Sequence, residues 1–175
     1  NNDPGKSLEE VFDEHFYPAL GINRADIETK IDAFYTNIFP SLQPLTSPRP
    51  EAVELVDHAL SKGYQVVVAT NPVFPRKAVL HRLHWANLPP DRYLFSLITS
   101  YEQFHFAKPN PAYFVEILAQ LGWPNQPIAI IGNDFNEDIT PSMEMGIPCF
   151  WVNPNGDTRE IPEPCSSGPH SKAKD

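Results

Sequence analysis

Four short apolar runs dominate the chain: YQVVVAT (64–70), LFSLITS (94–100), PIAIIG (127–132) and CFWV (149–152). None alternates apolar with polar residues, the pattern expected of strands covered on both faces. Stretches with helical spacing separate them. Pro50 opens PEAVELVDHALSK and Gly63 ends it. Further helices are predicted near Pro75 to Trp85, from Pro111 to Leu121 and from about Asp134 to Met145. Alternation of this kind requires right-handed crossovers and a mainly parallel, doubly wound sheet. The expected class is therefore α/β and Rossmann-like. Such sheets bind ligands at the carboxyl ends of their strands, so the residues just after each run carry the functional reading.

The preceding region is helical. Ser7 followed by Glu10 has the spacing of a capping box before LEEVFDEHF, and Asn23 precedes a second helix that Pro40 is expected to stop. Phe12, Phe16, Tyr17, Phe34, Tyr35 and Phe39 suit a helix–helix core, with a partly exposed substrate lid as the alternative. The stretch PSLQPLTSPRP reads as a linker. The expected organisation is a partial helical cap over 1–46, an α/β core over 47–153 and an irregular tail over 154–175.

With 175 residues, the chain suffices for one domain with a sizeable core. A net charge of −9 and the lack of a Lys/Arg cluster argue against a nucleic-acid surface. No run approaches the roughly 20 apolar residues of a transmembrane helix. Cys149 and Cys165 make no disulfide framework; Cys149 reads as a buried, inert thiol, which points to a reducing, cytoplasmic setting. Neither an initiator Met nor a signal-peptide pattern opens the sequence.

Three strand ends carry chemistry. Thr70-Asn71-Pro72 follows the first run and offers a hydroxyl and turn amides to an anion, or is a plain turn. Lys108, in AKPNP, stands before a helix that Asn110 caps and Pro111 opens; it can neutralise a phosphate or carboxylates, or be a surface lysine. IIGNDFNEDI (130–139) places Asp134, Glu137 and Asp138 straight after a strand. Helix capping accounts for Asp134 and Glu137 but leaves Asp138 without a specific task. An oxygen-ligand Mg²⁺ site would employ the whole cluster. His81 and His84 share a predicted helix, but no further zinc ligand is evident.

Threonine after VVVA, lysine in AKPNPAYF and acids in IIGNDFNEDI occur in that order at three strand ends. Together they resemble motifs II, III and IV of the haloacid dehalogenase-like (HAD) hydrolase superfamily. The resemblance is specific over 64–152 and looser over 1–50, which fits the family's helical cap. It implies that Thr70, helped by the Asn71 backbone, binds the transferring phosphoryl group, and that Lys108 balances its charge. It also implies that Asp134 holds Mg²⁺, while Asp138 supports the metal site or positions Lys108. Glu137 departs from the Asn often found there, so its role stays open.

The family's first motif, Asp-x-Asp after an apolar strand, has no match, since Asp13 and Asp32 fall in helical patterns. The expectation is a strand upstream of Asn1 that supplies the nucleophile, and no turnover by residues 1–175 alone. What the resemblance implies is a Mg²⁺-dependent phosphatase acting on a small phosphorylated metabolite through an aspartyl-phosphate. Alternatives are 2-haloacid dehalogenase chemistry, or an inactive relative used for binding. No nucleic-acid or membrane partner is expected, and substrate identity and oligomeric state are not readable.

Overall fold

The computed structural model describes residues 2–153, 157–159, 161, 163 and 165–167. They fall into two compact units, Asn1–Phe106 and Ala107–Asp175.

In the first unit, α1 (Leu8–Leu20) starts with the expected capping box. Glu10 N donates to Ser7 Oγ at 3.2 Å and Ser7 N donates to Glu10 Oε2 at 2.7 Å. Two further amides at the helix start, Leu8 and Glu9, donate to the carbonyls of Phe104 and Tyr101 at 2.8 and 3.0 Å. Four N–H groups at a helix start lack intrahelical acceptors, so these carbonyls tie α1 to the loop at 101–104. Gly21, at φ 68°, closes the helix in the left-handed conformation that glycine adopts without a Cβ penalty. Arg24, first residue of α2 (Arg24–Ala33), reaches back to Glu9 at 2.6 Å and to Asp13, holding the two helices side by side.

Pro40 does not stop the second helix. The backbone passes through one π turn, Phe34–Ile38, into a 3₁₀ segment, Phe39–Leu45, that has Pro40 in its first turn. A missing N–H is harmless there, which is why proline is accepted. Much of the stretch read as a linker is therefore helical. Nor do the aromatics form one core. Tyr17 is buried, while Phe12, Phe16 and Phe34 are exposed, and Phe12 stacks on Phe16 with centroids 4.5 Å apart. Residues four apart share a helix face, so both phenylalanines look outward together.

After α3 (Pro50–Ser61) come β1 (Val67–Val68), α4 (Arg76–Trp85) and β2 (Leu97–Ile98). β1 and β2 pair in parallel, Val67 with Leu97 and Val68 with Ile98. Val79, Leu83, Leu88, Tyr93 and Ile98 form the core, with Val53, Val56 and Leu60 of α3 packed against it. The 3₁₀ segment leans on α4, where Phe39 stacks on Trp85 at 5.1 Å, and Lys77 pairs with Asp32.

The second unit holds α5 (Ala112–Gln120), β3 (Ile130–Gly132), a π turn at Phe135–Ile139, α6 (Thr140–Glu144), β4 (Cys149–Trp151) and β5 (Ser166–Ser167). Its strands are parallel in the order β3-β4-β5. All the expected strands form, yet in two small sheets with ladders of only two or three residues. The fold class is α/β with parallel strands as read, though among the described residues not as one continuous sheet. Full coverage of both faces also fails. Register partners Ile131 and Phe150 are 50% and 39% exposed, because alternate side chains face opposite ways and the core takes Ile130, Cys149 and Trp151.

Cys149 is not a free thiol. It forms a buried disulfide with Cys165, so the premise for a reducing setting fails. Within 154–175, the described residues include this cystine, β5 and Ile161 packed on the core; the stretch after Ser167 lies outside the described residues. Among the described residues, no helix is long and apolar enough to cross a membrane.

Leu83 is 8% exposed at the centre of the first core. Leu83→Ala is expected to lower unfolding free energy by about 2–5 kcal/mol in urea titration, with the larger loss if the cavity stays open.

Candidate active site

β3 ends at Gly132, and the next six residues turn back around a carboxylate. Asp138 Oδ2 accepts hydrogen bonds from the backbone amides of Asn133 and Asp134, both at 3.0 Å. Its Oδ1 accepts from Lys108 Nζ at 2.6 Å. Both side chains of this ion pair are buried, 8% exposed for Lys108 and 9% for Asp138. The ammonium also lies 5.6 Å from the ring centre of Tyr113 and 5.8 Å from that of Phe114, at the start of α5. An aromatic face favours a cation, so the pocket suits charge despite its burial. α5 starts one residue later than expected, with Pro111 at its N-cap, and Ala112 N donates to Asn110 Oδ1 at 2.9 Å.

Gly132 makes the arrangement possible. A Cβ at this position would run into the side chain of Asp138. Sequence reasoning missed Gly132, although a glycine between an apolar run and a cluster of acids is a signal for close backbone approach. It also missed Ser142, whose hydroxyl donates to the Asp138 carbonyl at 2.5 Å.

Asp134 has a different job. Its Oδ1 caps the π turn by accepting from the amides of Asn136 and Glu137, both at 2.9 Å. The residue is exposed, and Oδ2 accepts no hydrogen bond among the described residues. A π turn at this place is itself notable, since such turns recur at functional sites. The crowding of acids is thus resolved by the chain: one carboxylate caps, the other meets an ammonium and two amides.

This donor set bears on Mg²⁺, which takes about six oxygens and keeps several waters, with one or two carboxylates from the protein. Asp134 offers an exposed carboxylate oxygen and fits that role. Asp138 has both oxygens engaged and fits the alternative of positioning Lys108. Among the described residues, no three His, Cys, Asp or Glu gather as a metal cage.

In the first unit, Thr70 follows β1. Buried Thr99 donates its hydroxyl to the Thr70 carbonyl at 2.7 Å, and Val73 N donates to Asn71 O at 2.9 Å, so Thr70-Asn71 forms an ordered turn. The strand–turn–helix pattern is drawn out here, with several residues between the Thr70-Asn71 turn and the helix. α4 begins only at Arg76, and Arg76 N already donates to Glu102 Oε1 at 2.7 Å.

The profile of haloacid dehalogenase-like hydrolases matches residues 9–141. The chain belongs to this family. A glyceraldehyde 3-phosphate phosphatase of Methanothermobacter thermautotrophicus is 27% identical over 112 residues, covering 62% of this chain and 46% of that protein. The chain thus spans about half the length of this relative. An HAD phosphatase of Thermococcus onnurineus superposes with TM-score 0.60 at 15% identity, over 91% of this chain and 85% of the other. The HAD hydrolase YfnB of Bacillus subtilis, solved with magnesium, superposes with TM-score 0.53 at 24% identity, over 66% and 48%. At these identities the structures speak for the fold.

The HAD-like strand end separates its two acids by stability as well as position. Asp138→Asn leaves the buried ammonium without its counter-charge and is expected to cost about 3–5 kcal/mol. Asp134→Asn keeps a good helix cap and should change stability by less than about 0.5 kcal/mol. Denaturant titration of the two variants checks this; equal losses would contradict the buried-pair geometry.

Proposed function

We propose that the complete protein is a Mg²⁺-dependent phosphohydrolase that acts on a small phosphorylated metabolite through an aspartyl-phosphate. The observation that carries this reading is the strand end after β3, where a buried lysine is locked by one acid while a second acid stands exposed one turn away. Asp138 balances the charge of Lys108, so the pair is neutral as a whole and gives little net attraction to a phosphate dianion. Asp134 adds a negative charge. An anionic substrate is accommodated beside these groups if a divalent cation offsets them, which favours the metal over a metal-free reaction such as haloacid dehalogenation.

In this proposal Asp134 holds the metal and Asp138 orients Lys108 toward the phosphoryl oxygens. Thr70 and the Asn71 backbone bind the phosphoryl group, as their motif implies. Bound Mg²⁺ supplies Lewis-acid stabilisation of charge spreading over the transferring group. The attacking carboxylate comes from a segment outside residues 1–175. Asp13 and Asp32 sit on α1 and α2, each engaged by a cation, Arg24 and Lys77 respectively. The phosphatase assigned to the archaeal relative supports a phosphate ester as the substrate class.

Hydrolysis of a generic phosphate ester by the complete protein should require Mg²⁺ and stop in EDTA. Asp134→Asn should remove most activity, at least about a hundredfold, while its melting temperature stays put; loss of one transition-state contact has that scale. Full activity in EDTA would sink the metal assignment. Residues 1–175 alone should show no turnover, since removing a nucleophile costs many powers of ten in rate. Turnover by 1–175 that disappears on mutating Asp13 or Asp32 would relocate the nucleophile. Inactivity of the complete protein would favour the binding-protein alternative.

A further inference from the structure

Between β4 and β5, Arg159 lies against the turn that carries Asp134. Asn153 Nδ2 donates to Asp157 O at 2.7 Å and Asp157 N donates to Asn153 Oδ1 at 3.0 Å. Asp157 then grips Arg159: Nε donates to Oδ2 at 2.8 Å and Nη2 at 2.5 Å. The guanidinium in turn holds the Asp157 carboxyl below its ordinary range. So oriented, Arg159 lies 3.9 Å over the centre of the Phe135 ring and 5.6 Å from that of Trp151, and its Nη1 reaches Asn136 Oδ1 at 3.4 Å. Phe135 meets Trp151 edge-on at 5.0 Å, and Trp151 Nε1 donates to Asn133 O at 3.1 Å. Aromatic or polar contacts from Trp151 and Arg159 therefore fall on residues 133, 135 and 136. These flank Asp134, and the Asn136 amide is one of the two that hold its Oδ1.

Ile161 packs on the second core, and Cys165 is bonded to Cys149 one residue before the β4–β5 ladder, Phe150 with Ser166 and Trp151 with Ser167. A two-residue strand is a weak anchor by itself. Both halves of the cystine beside it are buried.

We propose that Arg159 is a positioning residue for the Asp134–Asp138 turn, and that the Cys149–Cys165 cystine makes this positioning redox-dependent. The inference deepens the phosphohydrolase reading and rests on it for its effect on rate, but not for its structural content. A dithiol reductant opens the bond: its thiolate attacks one sulfur, the mixed disulfide is displaced by the second thiol, and two electrons and two protons convert the cystine to two thiols while the dithiol becomes its own disulfide. Arg159 then leaves Phe135 and Asn136, and the amides that hold Asp134 open more often.

The test compares the complete protein, oxidised and after reduction by dithiothreitol, with Arg159→Ala, Arg159→Lys and Cys165→Ser. Hydrogen exchange at the amides of Asn136, Glu137 and Asp138 is the primary readout, with mass spectrometry confirming the thiol state. Reduction of the wild type should speed exchange there about tenfold or more, the scale of local opening equilibria. Cys165→Ser should match reduced wild type. Arg159→Ala should exchange fast in both redox states, and Arg159→Lys, which keeps the charge but loses the flat stacking surface, should recover only part of the protection. The Mg²⁺ concentration giving half-maximal hydrolysis should rise several-fold in the same order. Unchanged exchange on full reduction, or a full redox response in Arg159→Ala, overturns the proposal even if Cys165→Ser fails to fold. Absence of hydrolysis in every state defeats the phosphatase reading instead, and exchange alone then decides the role of Arg159.

Discussion

The buried pair between Lys108 and Asp138 sets the shape of everything around it. Transferring two charges from water is expensive, and attraction repays it only when the remaining hydrogen-bonding capacity is filled. Here Asp138 takes one ammonium and two amides, and the ammonium has aromatic faces beside it. Those amides belong to Asn133 and Asp134, so the backbone can satisfy the carboxylate only by bending sharply as β3 ends. The bend brings Asp138 so close to Gly132 that any side chain there is excluded. A strand end, a glycine, a π turn and a lysine 30 residues earlier are thus consequences of one charge placement.

This also changes how the cluster of acids should be read. Like charges four apart on an exposed helix repel by only about 0.2–0.5 kcal/mol. A buried ammonium and a helix cap offset that easily, so crowding is no argument for a bound cation. What favours a cation is the difference in environment. Asp138 is sealed, whereas Asp134 is exposed with one oxygen spare, and only the second is free to change partner during a reaction.

The sequence pattern disclosed whatever depends on neighbouring residues. Ser7 with Glu10, Asn110 before Ala112, Pro50 at a helix start and the order of apolar runs all behave as local rules require. The order of Thr70, Lys108 and Asp134 along the chain was equally legible, because each stands in a contiguous stretch. What escaped was set by distant partners. The residues around Asp138 left it without a task, and only the family resemblance linked it to Lys108, far away in sequence. Cys149 looked like a core thiol because nothing local points to Cys165. Glu102 occupies the start of α4 from 26 residues away. Pro40 misled in the other direction, since a proline that breaks a helix interior is tolerated in a first turn.

The cystine has a further physical meaning in so small a unit. Residues Ala107–Asp175 form a body in which a single core rarely supplies more than about 3–5 kcal/mol. Closing a loop with a sequence separation of 16 contributes about 3 kcal/mol in the chain-entropy account. The covalent link is therefore comparable to the whole apolar contribution. It acts through the same residues, because Cys149, Cys165, Trp151 and Ile139 are that core. Ile139 directly follows Asp138, and Trp151 bonds the carbonyl of Asn133. The packing that stabilises the unit thus ends, on one side, in the turn that carries the candidate chemistry. The cystine thus packs with the sequence neighbour of the acid that holds Lys108, so its contribution to stability is made at the edge of that turn.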